Sequence, residues 1–461
     1  MPISPENLPS NNFLNNGAKK AQIFTFGCRL NHAESNLMEE EVQKMGYHVQ
    51  KEPLDKGLDS DLYIINSCTV TERADQKCRQ LVRSIKRKNP QAQIALVGCY
   101  AQTSFKKLQK NEDLDWILGN QEKLKLSNFL TPEKEGEEKK AEKLPKVHVE
   151  RFEKKPFEQA FLNQYTEARV NLKIQDGCDF FCSFCVIPFA RGRSKSRESN
   201  DILKEAEHMA NLGFEEVVLT GVNLGLYAHN SLNFMGLLER LKKIEKVKRI
   251  RISSIEPTTI GDDLLEEMKK TTTKIAPFLH LPIQSANDKT LQAMQRRYTL
   301  GEYDSYLKKA RENLPHICLG TDLIVGFPGE TEEDFLSTYE YLKASELNYL
   351  HVFPYSERKN TLSVKIAEKV PPAEIKKRAN LCRLLSEEKW QKYQESFLSQ
   401  EEEVIFEQQN EDKDGKGFYW VGHSAHFLKV KTYSPKPLRK KNIRVQITKR
   451  EGNYLVAQIL D

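Results

Sequence analysis

Residues 177–185 read GCDFFCSFC. Three residues separate Cys178 from Cys182, and two separate Cys182 from Cys185. Thiolates are soft ligands that suit zinc or an iron–sulfur cluster. A structural zinc closes its tetrahedron with a fourth ligand, yet the next His downstream is His208. A four-iron cluster held by three thiolates keeps one iron open for a substrate or cofactor, whereas full ligation suits electron transfer. Three core cysteines are the bland alternative, and a Phe-rich loop at this spacing argues against it.

The triad directly follows VNLKIQ (170–175), an apolar, β-prone run. Similar runs recur downstream at 216–221, 248–254, 278–283, 317–326 and 349–355, with helical patterns between them. Thr331 and Asp334 offer a capping box for one of these helices. Six such units within about 200 residues predict a partial (β/α)6 barrel, whose reactive groups gather at the C-terminal strand ends. A long helix is expected from about Pro372 to Ser399.

The N-terminal part has the same logic. QIFTF (22–26), DLYIIN (61–66) and QIALVG (93–98) alternate with helical stretches, one of them basic, and predict an open parallel sheet. Cys28, Cys68 and Cys99 each stand just past one of these strands. That is the sheet edge where open α/β folds bind ligands, so three cysteines distant in sequence are expected to meet. Cys78 lies in a helix, Cys318 in a strand and Cys382 on a helical face; these three are read as packing or surface residues.

The remaining sequence bounds the alternatives. The chain has 461 residues and nine cysteines, too few for a secreted disulfide scaffold of this length. Its net charge is +6, which alone implies no partner. No run approaches a membrane span and the N-terminus lacks a signal-peptide pattern, so a cytoplasmic protein without membrane association is expected. The last 60 or so residues read as short β-strands of a small barrel. From Val421 to Arg450 this region holds nine Lys/Arg and no Asp/Glu, interleaved with aromatic residues. That combination suits phosphates and stacked bases of single-stranded RNA, although an ordinary solvated surface has the same composition.

CxxxCxxC after the first barrel strand resembles the radical S-adenosylmethionine (SAM) superfamily. GCRLN (27–31), NSCTV (66–70) and GCYAQ (98–102) resemble the N-terminal cluster motifs of the radical SAM methylthiotransferase family. The likeness covers roughly residues 21–130 and 165–461. PFARGRSKSR (188–197), RISSIEP (251–257) and HVFPYS (351–356) look most like the bacterial members acting on N6-threonylcarbamoyladenosine in tRNA. Phe184 or Phe189 stands where the family usually has Tyr, a conservative departure.

The resemblance implies an α/β architecture: a disordered tail (1–20), an N-terminal α/β domain with an auxiliary cluster (21–130), a charged linker (131–164), a radical SAM partial barrel (165–396) and a TRAM-like RNA-binding β-barrel (397–461). It implies two 4Fe-4S clusters, one on Cys178, Cys182 and Cys185 and one on Cys28, Cys68 and Cys99. SAM would serve as source of the 5′-deoxyadenosyl radical and as methyl donor, with Gly221, Asn223, Ser254, Glu256 and Gln284 as candidate contacts. No side-chain acid or base is implied as catalytic. The substrate would be tRNA position 37 in the anticodon loop, with an electron donor and a sulfur source as further partners. Oligomeric state is left open. Candidate RNA contacts are Arg191, Arg193, Lys195, Arg197, Lys429, Lys431, Arg439 and Lys440. Isopentenyladenosine in tRNA and a ribosomal-protein aspartate are the alternative substrates, and a zinc-containing RNA-binding protein without catalysis is the alternative of another class.

Overall fold

The computed structural model describes residues 19–50, 58–130, 144–152, 157, 165, 169–412 and 417–460. β1 (Lys20–Thr25), β2 (His48–Gln50), β3 (Leu62–Ser67), β4 (Gln93–Gly98), β5 (Trp116–Leu118) and β6 (Lys146–His148) form one sheet ordered β2-β1-β3-β4-β5-β6. Every pairing in it is parallel. All six residues of β3 are buried, as in strands covered by helices on both faces. α1 (Arg29–Lys44), α2 (Glu72–Lys88) and α3 (Cys99–Leu108) follow β1, β3 and β4. The strand order reverses between β1 and β3, which makes that edge the switch point where such folds bind ligands.

The strands β2, β5 and β6 escape the sequence reading because each spans three residues, too few to display a period. β6 falls within the stretch read as linker and pairs Val147 with Ile117. Residues 131–143 of that stretch, and 1–18 of the expected tail, lie outside the described residues, while Lys20 belongs to β1.

The six expected barrel strands are β7 (Val170–Lys173), β8 (Glu216–Thr220), β9 (Arg249–Ile252), β10 (Phe278–His280), β11 (Cys318–Val325) and β12 (Tyr349–Pro354). They form two parallel halves, β7-β8-β9 and β10-β11-β12, joined by single bridges from Ile250 to Ile275 and from Ser254 to His280. Thr331 and Asp334 do close the capping box of the helix Glu332–Ala344. The long helix runs Pro372–Glu395. Cys78, Cys318 and Cys382 are fully buried packing residues.

β13 (Glu401–Glu411), β14 (Phe418–Ser424), β15 (Lys429–Tyr433), β16 (Asn442–Glu451) and β17 (Tyr454–Ile459) close into a five-stranded barrel ordered β13-β14-β15-β17-β16. Buried arginines fasten it to the central domain. Arg251 donates to the Ser424 carbonyl at 2.9 Å and to Glu216 Oε1 at 2.8 Å. Arg249 donates to the Glu403 carbonyl at 3.0 Å. This docking brings the turn carrying Phe427 over the strand ends of the central barrel.

A second buried network joins the N-terminal and central domains. Glu34 of α1 accepts from Lys123 Nζ at 2.6 Å, Lys173 Nζ at 2.7 Å and Arg191 Nη1 at 2.9 Å. Arg191 and Lys173 also reach Asp176, two residues before Cys178. Burial opposes the charge on Glu34, but Arg191, Lys123 and Lys173 hold its carboxyl well below the usual carboxylate range.

Candidate active site

Each triad is positioned by a strand end and a glycine. Gly27 has φ +115°, and a Cβ there would sit 2.7 Å from Cys68 Cβ, so the first two cysteine loops touch only because this residue has no side chain. Gly177 has φ +72°, and a Cβ there would meet the Arg193 carbonyl oxygen at 2.1 Å. Gln175 then clamps the Cys178 loop to the next strand end. Its amide donates to the Gly177 carbonyl at 2.7 Å and its carbonyl accepts from the backbone N–H groups of Val222 and Asn223, each at 2.9 Å.

Cys28, Cys68 and Cys99 share one neighbourhood. Burial first, then Cys99, pushes the Cys68 thiol up to about 12. Asn120 Nδ2 approaches Cys99 Sγ at 3.5 Å. In the second triad, burial and then Cys182 push the Cys185 thiol up to about 12. Arg296 donates to Cys182 Sγ at 3.3 Å and to Glu256 Oε1 at 2.5 Å. A metal bound at either site would take these thiols as thiolates and release their protons.

The donor chemistry fits clusters. Each site offers three soft thiols, one short of a closed zinc tetrahedron, which suits an iron–sulfur cluster with one open corner. The buried network beneath them sets Lys123, Lys173 and Arg191 against Glu34 and Asp176, a surplus of one positive charge. Both Arg191 and Lys123 interact electrostatically with Cys99, so the surplus faces the thiolates a metal would create.

A cavity of about 630 Å³ separates the N-terminal sheet from the barrel strand ends. Cys28 and Cys68 stand on one wall, Gly221, Ser254 and Asp322 on another, and Phe427 of the C-terminal barrel completes it. Thus two of the five candidate SAM contacts line it. Asn223 is buried in the clamp, Glu256 is paired with Arg296, and Gln284, at φ +65°, pairs its backbone with β11. Exposed Arg73 and Lys77 of α2 stand at the cavity's edge.

The structure buries three of the eight RNA candidates, Arg191, Arg197 and Lys431. Arg191 is buried against Glu34 and Asp176, and Arg197 is buried against Glu205. Neither can meet a phosphate. Lys431 is buried between the Tyr419 and Tyr433 rings and ion-paired with Glu451. Lys440 lies 3.8 Å above the Phe214 ring and helps dock the barrel. Lys429 stacks on Tyr454. Trp420 is core. Arg193 and Arg439 are exposed, and Lys195 is half-buried. The basic composition of 421–450 therefore serves internal contacts in part, and cations at the cavity edge come from α2, whose basic pattern was visible in sequence without a site to attach it to.

Three features had no sequence signal. His280, Asp322 and His351 gather with their ligating atoms within 4.8 Å of one another on the cavity wall. Burial opposes the Asp322 charge, but His280 and then His351 hold it well below the carboxylate range. Phe427, at φ +67°, sets its ring 4.5 Å, centre to centre, from that of Phe278, tilted by 40°. Arg29, half-buried beside Cys28, lies 5.8 Å from the Phe427 ring centre; burial, then Arg169 and Arg251, bring its guanidinium down to about 10.

Comparison with known proteins agrees with this arrangement. Residues 172–342 match the radical SAM superfamily and residues 20–119 match uncharacterized protein family UPF0004. The threonylcarbamoyladenosine tRNA methylthiotransferase MtaB of Bacillus subtilis is 35% identical, covering 95% of each chain. That of Aquifex aeolicus is 37% identical over 85% of this chain and 93% of its own. The tRNA-2-methylthio-N(6)-dimethylallyladenosine synthase of Protochlamydia amoebophila is 32% identical over 85% and 86%. Among solved structures, the radical SAM methyltransferase TsrM of Kitasatospora setae, with cobalamin and a [4Fe-4S] cluster bound, superposes with a TM-score of 0.52 at 14% identity, covering 76% of this chain and 75% of its own. That likeness concerns the fold alone. The enzyme class is transferase, with SAM and 4Fe-4S clusters as cofactors. This chain belongs to the radical SAM tRNA methylthiotransferases.

Proposed function

We propose that this protein converts N6-threonylcarbamoyladenosine at position 37 of tRNA, in the anticodon loop, to its 2-methylthio derivative. The observation that supports it most is the pair of three-cysteine sites at the strand ends of two domains, with one cavity at their junction. Cys178, Cys182 and Cys185 would hold the cluster that binds SAM, and Cys28, Cys68 and Cys99 the auxiliary cluster. When bound, clusters and SAM supply the one-electron chemistry, the sulfur and the methyl group that an inert aromatic C–H bond requires.

The chain's own residues do the positioning. Gln175 holds the Cys178 loop and the Gly221 loop in one register, and Gly221 and Ser254 leave the SAM side of the cavity uncluttered. Arg296 orients Cys182. Glu34 and its three cations fix the distance between the two cysteine sites. Arg73 and Lys77 are placed to meet the phosphates of an anticodon loop, whose bases can be splayed into a pocket. A tRNA substrate places the work in the cytoplasm, with an electron donor and a sulfur source as further partners.

The substrate assignment leans on the Bacillus subtilis relative, which matches over 95% of this chain at 35% identity, against 85% at 32% for the dimethylallyl synthase. Anaerobically reconstituted protein should carry about eight irons, by the stoichiometry of two four-iron cubes. Given SAM, reductant and sulfide, it should methylthiolate tRNA bearing threonylcarbamoyladenosine and leave isopentenyladenosine unchanged, as read by nucleoside mass spectrometry. The reverse preference would overturn the substrate, and iron-free, zinc-bearing protein would overturn the enzyme.

A further inference from the structure

Arg29 is the first residue of α1, directly after Cys28, and it lines the cavity. Among the described residues no carboxylate lies within ion-pair distance of its guanidinium, which faces the Phe427 ring at 5.8 Å. Its charged neighbours make this conspicuous. Arg169 and Arg251 both interact with it electrostatically, and Glu216 is an acid that acts on it in the opposite sense. Glu216 is already committed, accepting from Arg251 at 2.8 and 3.2 Å and from Arg249 at 3.1 Å. Arg169 is matched by Glu407 at 2.8 Å. A half-buried arginine left over in such a cluster is costly unless an anion joins it.

The rest of the cavity gives that anion a direction. Its lining also includes the Asp322 carboxylate, held by His280 at 3.0 Å and His351 at 3.4 Å. Tyr349 links that group to the Phe427 side, its hydroxyl 2.9 Å from His280 Nδ1 and its ring 6.1 Å from that of Phe427. A ligand with an aromatic body and an acidic tail would therefore stack beside Phe427 and turn its tail toward Arg29, away from Asp322.

Resting on the proposed substrate, we infer that Arg29 binds the carboxylate of the threonyl group and thereby selects an acid-bearing adenosine over one with an uncharged alkyl group. Arg29 is in this reading a specificity-determining residue. The competing role is countercharge for a cluster on Cys28, Cys68 and Cys99, which would be indifferent to the substrate's tail.

The test compares full-length, anaerobically reconstituted wild type, R29Q and R29K. Each is given anticodon stem-loop RNA carrying N6-threonylcarbamoyladenosine or its methyl ester. Binding is read by fluorescence anisotropy, turnover by mass spectrometry, and cluster content by iron analysis and EPR. Wild type should prefer the acid over the ester. In R29Q that preference should fall by about 30-fold or more, the usual effect of truncating one partner of a buried, hydrogen-bonded charge pair. R29K keeps the charge without the fork and should retain part of it. Equal weakening of acid and ester in R29Q, or no preference in wild type, would overturn the inference. A wild type that prefers the acid in binding through Arg29 yet never methylthiolates it would overturn the proposed function and leave the Arg29 inference supported. Loss of iron in R29Q with an unchanged acid-to-ester ratio in R29K and R29Q would assign Arg29 to the cluster instead.

Discussion

The contact on which the two-site geometry depends is Glu34, and replacing it by alanine tests that dependence. The substitution strips Lys123, Lys173 and Arg191 of a shared acceptor that is 1% exposed. The surplus of buried positive charge then rises from one to two. Removing one partner of a buried ion pair costs about 3–5 kcal/mol, and here three cations lose the same group. For a cooperative unit of roughly 110 residues, about 4 °C of Tm accompanies each kcal/mol, so a fall of roughly 12–20 °C is expected. The assay is circular dichroism melting of metal-free protein at pH 7. The sign with pH is fixed by the direction of the Glu34 shift. Its folded value lies below its unfolded one, so the stabilisation is fully present above about pH 4.3 and is lost as pH falls through the folded value. The gap between wild type and Glu34→Ala should therefore be full at pH 7 and shrink under acid. A fall of less than about 4 °C at pH 7, or a gap that widens on acidification, would refute the reasoning.

Three further outcomes are expected. Cys182→Ala should abolish SAM cleavage, and Cys68→Ala should keep cleavage but stop thiolation, each with about half the iron of wild type; thiolation surviving in Cys68→Ala would break the division of labour. Gln175→Ala leaves the buried N–H of Asn223 and the half-buried N–H of Val222 without an acceptor. At about 1–3 kcal/mol each, SAM affinity measured by calorimetry should fall by tenfold or more, and an unchanged affinity would deny the clamp its role. Arg296→Ala removes the donor to Cys182 Sγ and leaves buried Glu256 unpaired, so the EPR signal of the SAM-binding cluster should shift or vanish while the auxiliary signal persists; an identical spectrum would separate Arg296 from that cluster.

The architecture was legible because its signals are local. Apolar runs of four to eight residues mark strands, and the Gly-Cys dipeptides at 27–28, 98–99 and 177–178 mark where a tight turn delivers a thiol to a sheet edge. The three-residue strands were not legible, since β6 is defined by its pairing with β5 and by nothing in its own composition. Charge was the least readable property. Arg191, Arg197 and Lys431 look like surface cations in sequence, but the fold buries them against Glu34, Glu205 and Glu451. Conversely, Arg29 sits in an ordinary-looking GCRLN, and only the assembled fold shows that Glu216, the nearby acid, is spent on other arginines. Pairing across 150 or more residues, as between Glu34 and Arg191, leaves no trace in a local pattern.

The central claim concerns what happens to one base in tRNA, and nucleoside mass spectrometry of tRNA from cells with and without this protein reads it directly. The account predicts that 2-methylthio-N6-threonylcarbamoyladenosine disappears without the protein while its unthiolated precursor accumulates and the isopentenyl nucleosides stay unchanged. Persistence of the threonylcarbamoyl product, with loss of the methylthio group from isopentenyladenosine instead, would contradict it.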